Sequence, residues 1–169
     1  MLKLAASVTY TPISSYTFAS AAANYTFSSI PSTYTDLVLV YAGTSSSATS
    51  YLSLQFNSDT TSNYSTTHLR GTGSVANSTR YSNQTEMYAS VSATVTTTQN
   101  NVIAHIMNYA NTTTYKTVLF RSNNADVSVE TTVGLWRKTP EAINSIKVSS
   151  PTVNFASGTT LSLYGIASA

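Results

Sequence analysis

The chain has 169 residues and a mass of 18.0 kDa, which corresponds to a single domain of ordinary size. Charged residues make up only 8% of it, whereas about 25% is typical of soluble domains. The net charge is only +2 and the basic residues are scattered, so no nucleic-acid partner is expected. Cysteine is absent, which excludes disulfide bonds and thiolate metal sites, while 28 serines, 29 threonines and 12 tyrosines favour strands over helices.

The first predicted unit is an extended N-terminal arm at residues 1–23, which precedes a domain at residues 24–169. Apolar and polar residues alternate only weakly in the arm, and a run of small residues at 19–23 resembles a linker. The opening sequence MLKLAASVTY has too little apolar character for a signal peptide. We expect the arm to be held by a partner, although a first strand in the protein's own sheet is the alternative. The predicted contacts with that partner are the large apolar side chains of the arm: Leu2, Leu4, Tyr10, Ile13, Tyr16 and Phe18.

Four segments alternate with a period of two, which predicts strands with one buried and one solvated face. They lie at residues 51–57, 87–95, 127–135 and 159–166. In the third segment the valines and Leu135 are expected to face the core, opposite Ser128, Glu130 and Thr132. The last segment is expected to bury Leu161 and Leu163.

Three further segments, at residues 36–42, 101–107 and 116–120, are apolar on both faces. Such strands lie centrally in a covered sheet or face a second subunit, and for this reason we expect a homotrimer. Their apolar stretches are much shorter than the roughly 20 residues of a membrane-spanning helix, so no membrane partner is expected. With candidates at 24–30 and 142–148, the sequence predicts an all-β protein: a β-sandwich of jelly-roll type with about eight or nine antiparallel strands.

The residues that could carry catalysis are few and scattered. We interpret His105 as a hydrogen-bonded histidine of the β core and His68 as a surface residue at a strand end. Asp126 and Glu130 are four residues apart on a strand, about 13 Å, too far for a retaining glycosidase pair. The other acids, like these two, are expected on solvated faces, and no nucleophile elbow is present: Asp36, Asp59, Glu86 and Glu141. The sequence therefore predicts a protein that is not an enzyme and has no cofactor or metal ion.

An oxygen-rich segment, NSDTTSN at residues 57–63, has two interpretations. It could bind calcium, but one carboxylate supplies little charge and the spacing is not that of an EF-hand loop. A turn stabilised by side-chain hydrogen bonds from Asp, Asn, Ser and Thr explains the same composition and is the interpretation that we favour.

Four phrases in fixed order carry a resemblance to a known family. They are FSSIPSTYTDLVLV at 27–40, LQFNSDTTSNYS at 54–65, GLWRKTPEAINSIKV at 134–148 and LSLYGI at 161–166. Together they resemble a family of virion structural proteins of tailed bacteriophages, of the capsid decoration, head-fibre or minor tail type, over residues 16–169. A glycine often follows the asparagine of the second phrase in that family, and here Ser58 takes its place. The resemblance implies an oligomeric jelly-roll sandwich without enzymatic activity.

Three functions follow as expectations. The first is a capsid decoration (cement) protein that binds the major capsid protein on the outer surface of the virion and stabilises the shell. The second is a tail, baseplate or head-spike protein that serves as an adaptor or contacts the host. The third is a carbohydrate-binding β-sandwich, for host-surface glycans, with an aromatic set as the sugar platforms: Tyr81, Tyr88, Tyr109, Tyr115 and Trp136.

Overall fold

The computed structural model describes residues 9–91, 94–124 and 127–167, which contain twelve strands and no helix. The strands form two antiparallel sheets that pack face to face, so the predicted all-β sandwich is confirmed. The jelly-roll connection of the strands stays a prediction. The strands are β1 (Tyr10–Thr17), β2 (Asn24–Phe27), β3 (Asp36–Gly43), β4 (Ser53–Phe56), β5 (Tyr64–Gly71), β6 (Ala76–Gln84), β7 (Met87–Tyr88), β8 (Asn100–Met107), β9 (Lys116–Asn124), β10 (Ser128–Trp136), β11 (Ile146–Ser149) and β12 (Thr160–Ile166).

The large sheet has eight strands in the order β1-β12-β3-β8-β9-β10-β5-β6, and the small sheet has four in the order β2-β11-β4-β7. The three segments that are apolar on both faces became β3, β8 and β9, which lie side by side in the middle of the large sheet. Their predicted position in the middle of a sheet is therefore confirmed, while contact of their second face with another subunit stays a prediction. We call the side of the large sheet that faces the small sheet its inner face, and the opposite side its outer face.

The core between the sheets is built around large aromatic side chains. Trp136 of β10 meets the ring of Phe56 edge-on at 5.5 Å, and Tyr64 stacks on the same indole at 6.3 Å. Met87 of the small sheet packs on Gly134 of the large sheet, and any side chain at position 134 would collide with the thioether. Leu161 and Leu163 are buried as predicted.

The predicted N-terminal arm is wrong for the residues that the structure describes. Residues 10–17 form β1, which pairs antiparallel with β12 at the edge of the large sheet. Phe18 is buried in the core, and Tyr16 stacks on Tyr25 of the small sheet with ring centroids 3.8 Å apart. Among the described residues of this set, only Tyr10 is largely exposed, while Ile13 packs against the core. Leu2 and Leu4 lie outside the described residues.

The structure also corrects the predicted set of strands. Residues 87–95 were expected to form one strand, but the strand found there is Met87–Tyr88, and the described residues that follow are bent or irregular apart from a single bridge at Val95. Conversely, β5 and β6 were not predicted because their sequences, YSTTHLRG and ANSTRYSNQ, show no apolar alternation. Apart from Tyr64, which is buried in the core, their place in the sheet comes from pairing with β10 and with each other rather than from burial of apolar residues.

Candidate interaction surface

Strand β10 faces the opposite way from the expectation. Its polar side chains Ser128, Glu130 and Thr132 point to the inner face and are buried. The valines point outward instead: Val129 is 61% exposed and Val133 is 48% exposed. Several exposed apolar side chains on one face of a strand indicate an interaction surface, because they do not contribute to the core between the sheets.

Four of the exposed apolar residues come together at the tips of two hairpins. The β5–β6 hairpin carries Leu69 and Val75, and the β9–β10 hairpin carries Val127 and Val129. The strands β5 and β10 pair directly, with Val129 opposite Gly71, so the two tips are neighbours. We call these four residues, each 45% to 61% exposed, the tip patch.

A groove of about 690 Å³ borders the tip patch. It is lined by Leu69 and Val129 together with Arg70, Glu130 and the start of β6. A second depression of about 250 Å³ continues over Val127 and the β5–β6 turn at Gly73. The tips therefore present apolar side chains next to a concave surface. A protein partner could pack against the side chains and occupy the concave surface.

Hydrogen bonds explain why β10 turns its polar side inward. His68 is fully buried between the hydroxyls of Thr66, 2.9 Å from Nε2, and Thr132, 2.7 Å from Nδ1. Glu130 accepts a hydrogen bond of 2.8 Å from the backbone N–H of Val91 and lies 3.7 Å from Nε of Arg70. Burial lowers the pKa of His68, and the nearby Glu130 carboxylate works in the opposite direction. Because His68, Thr132 and Glu130 all have hydrogen-bond partners on the inner face, these polar groups can be buried there, and the valines are left outside.

Both histidine interpretations need correction. His68 was expected at the surface and is buried in the cluster just described. His105 was expected in the core, but its side chain lies on the outer face and keeps 36% exposure. Its hydrogen bonding is as expected, since Nε2 lies 2.8 Å from a carboxylate oxygen of Asp36. The acids Asp59 and Glu130 are buried, which also contradicts the expectation of solvated acids.

The favoured interpretation of residues 57–63 as a turn is confirmed. Asn57 and Ser58 both have positive φ, so Ser58 takes the backbone conformation that a glycine at this position would favour. One oxygen of Asp59 accepts hydrogen bonds from Thr61, and the other accepts them from Asn63 and from the indole N–H of Trp136, at 2.9 and 2.7 Å. The carboxylate thus uses both oxygens within the protein.

The predicted sugar platforms do not form one surface. Trp136 and Tyr109 are buried in the core, and Tyr115 is exposed apart from the others. Tyr81 and Tyr88 do meet, edge-on with centroids 5.8 Å apart, at the open side of the sandwich between β6 and β7.

No protein-family model and no curated protein matches this chain. Within the described ranges, no group of three or more His, Asp or Glu side chains is arranged to hold a metal ion. The same part of the chain contains no helix that could cross a membrane.

Proposed function

We propose that the protein is a non-enzymatic structural protein of a tailed-phage virion, a capsid decoration protein that binds the coat through its tip patch. The four ordered phrases of the sequence support the virion assignment. The observation that supports attachment through the tips is the outward turn of Leu69 and Val129 next to a groove of about 690 Å³.

The chemistry of the tip patch suits a protein partner. Fully burying an exposed side chain of this kind contributes about 1.5–3 kcal/mol. Because these four are 45% to 61% exposed, burying what remains contributes about 3–7 kcal/mol in total, which reaches only the lower part of the 4–15 kcal/mol that association costs in lost freedom. A single copy therefore binds weakly unless the groove is filled as well. Several linked copies on one particle would bind much more tightly without any new kind of contact.

The partner that we propose is the major capsid protein, on the outer surface of the shell. A tail, baseplate or head-spike position is the alternative within the same class. Copy number in purified particles, measured by quantitative mass spectrometry, separates the two, because decoration of a shell requires far more copies than a tail or spike can hold.

The attachment surface is tested with particles stripped of the protein and then given purified variants. The double variant Leu69→Ser and Val129→Ser removes the two most exposed of the four side chains of the tip patch, while Val133→Ser changes another exposed valine of β10, away from the tips. Both variants should remain folded, since exposed positions usually change stability by no more than about 0.5 kcal/mol. We expect the double variant to lose occupancy on the particles and Val133→Ser to keep it. Full occupancy of the double variant would contradict attachment through the tips.

A further inference from the structure

A shallow depression of about 220 Å³ lies on the outer face, away from the tip patch. It spans β1, β12, β3, β8 and β9, whereas the tip patch belongs to β5, β10 and the turns beside them. Its volume suits one sugar-sized group rather than a protein loop. Six residues line it: Tyr10, Val38, Val40, Ile103, Arg121 and Tyr164.

The register of the sheet gives the depression two different ends. Val40 pairs with Ile103, and Ile103 pairs with Arg121, so an apolar floor leads to a guanidinium on the β9 side. Tyr164 of β12 pairs with Val38 on one side and with Pro12 of β1 on the other. Tyr164 and Tyr10 therefore lie at the end of the depression formed by β12 and β1. A ligand in the depression would therefore meet aromatic rings at one end and a cation at the other.

The polar groups of this depression are not used inside the protein. Within the described residues, the hydroxyls of Tyr10 and Tyr164 form no hydrogen bond, and neither ring packs on another aromatic ring. The guanidinium of Arg121 likewise has no ion pair or hydrogen bond to the described residues, and Arg121 is exposed. The nearest acid of the outer face by register, Asp36, is already bound by His105 and by the backbone N–H of Asn108, at 2.8 and 2.7 Å.

We infer that the depression is a binding site for a carbohydrate residue that carries a carboxylate, such as a uronic or sialic acid. The guanidinium fork of Arg121 matches a carboxylate through two parallel hydrogen bonds. The tyrosine rings and the aliphatic floor suit the C–H face of a pyranose, and the two phenolic hydroxyls suit its hydroxyl groups. A phosphate dianion fits less well, because Arg121 is the sole cation among the described residues that line the depression.

The inference is independent of attachment through the tips, because it concerns other strands and is tested on the purified protein without particles. The probes are tri-galacturonate and sialyllactose, with lactose and a neutral galactose trimer as uncharged controls. Binding is measured by calorimetry and by amide chemical shifts. We expect the acidic sugars to bind and to shift the amide signals of β3, β8 and β12. The neutral sugars should bind at least about tenfold more weakly.

Variants distinguish specific binding in the depression from non-specific electrostatic attraction of acidic sugars to a basic protein. Arg121→Ala should weaken binding of the acidic sugars about tenfold or more, and Tyr164→Ala should weaken acidic and neutral sugars alike. The matched controls Arg80→Ala on β6 and Tyr115→Ala, both outside the depression, should leave binding unchanged.

Three results would overturn the inference. One is absence of binding by either acidic sugar up to about 10 mM. Another is equal binding by the Arg121→Ala and Arg80→Ala variants. The third is binding of an acidic peptide, tetraglutamate, at least as tightly as the acidic sugars and with the same shifted amides, which would assign the depression to a protein partner.

Discussion

Asp59 is a buried carboxylate that holds the second phrase of the sequence against the core. Burial alone would raise the pKa of this group, but the hydrogen bonds from Thr61, Asn63 and Trp136 together lower it to about 2. Its ordinary value is 3.8, so the folded protein binds the proton less readily than the unfolded chain. The ionised form of Asp59 therefore stabilises the fold above about pH 4, and this contribution disappears as the pH falls towards 2.

We predict that Asp59→Asn removes this part of the acid sensitivity. At about pH 6 the variant should unfold more readily than the native protein, by on the order of 2 kcal/mol from the pKa difference alone. Near pH 2 the two proteins should differ much less, because the native carboxyl is then protonated. Urea unfolding at several pH values measures the difference. A gap between the two proteins that stays constant from pH 6 to about pH 2 would contradict the role given to the hydrogen bonds.

At the scale of single strands, β1 shows that the same sequence is compatible with an extended arm bound to a partner and with an edge strand of the protein's own sheet. Tyr16 and Phe18 look like unpaired apolar groups in the sequence, and only the pairing of β1 with β12 shows that they fill the end of the sandwich. A sheet edge and a partner's surface bury apolar side chains by the same effect. Periodicity within one segment therefore cannot tell which of them receives the segment.

The variants Phe18→Ala and Tyr10→Ala test the position of β1 in the isolated protein. The first removes a ring that packs at 5.0 Å from Phe155, and we expect it to cost about 3–5 kcal/mol of the free energy of unfolding. The second changes an exposed ring and should cost no more than about 0.5 kcal/mol. Chemical denaturation measures both. Equal, small effects would mean that residues 10–18 are an arm after all.

The sequence predicted best the strands whose own residues carry an apolar pattern, such as β3, β8 and β12. It failed where the pattern is set by other strands. β10 alternates over most of its length, yet its valines face outward because its polar side is held by β5, a strand without apolar alternation. The Thr132 hydroxyl hydrogen-bonds to Nδ1 of His68 on β5, and the Thr66 hydroxyl holds Nε2 of the same ring. The tip patch was missed for a related reason: Leu69 is the one large apolar residue after Tyr64 in β5, and its neighbours give no sign of which face it takes.

At the scale of the whole molecule, the two edges of the large sheet differ in how they can meet another copy. β1 carries Pro12 and an irregular register between Pro12 and Ser14, features that hinder pairing with a further strand. β6 offers nine residues without proline and with a single charge, Arg80. Two β6 edges could pair antiparallel, but such a contact is symmetric and closes a dimer, so a trimer requires that each copy use two different surfaces.

The homotrimer expected from the sequence can therefore be distinguished from a dimer by mass. Light scattering at micromolar concentration should give three times the 18.0 kDa mass of the chain. The double variant Leu69→Ser and Val129→Ser should keep that mass, because we assign the tip patch to the particle and not to contacts between copies. If the variant falls to 18.0 kDa, the tips hold the copies together and the coat must bind elsewhere. A native mass of one chain at every concentration would contradict the trimer, and a mass of two chains would instead indicate pairing of β6 edges.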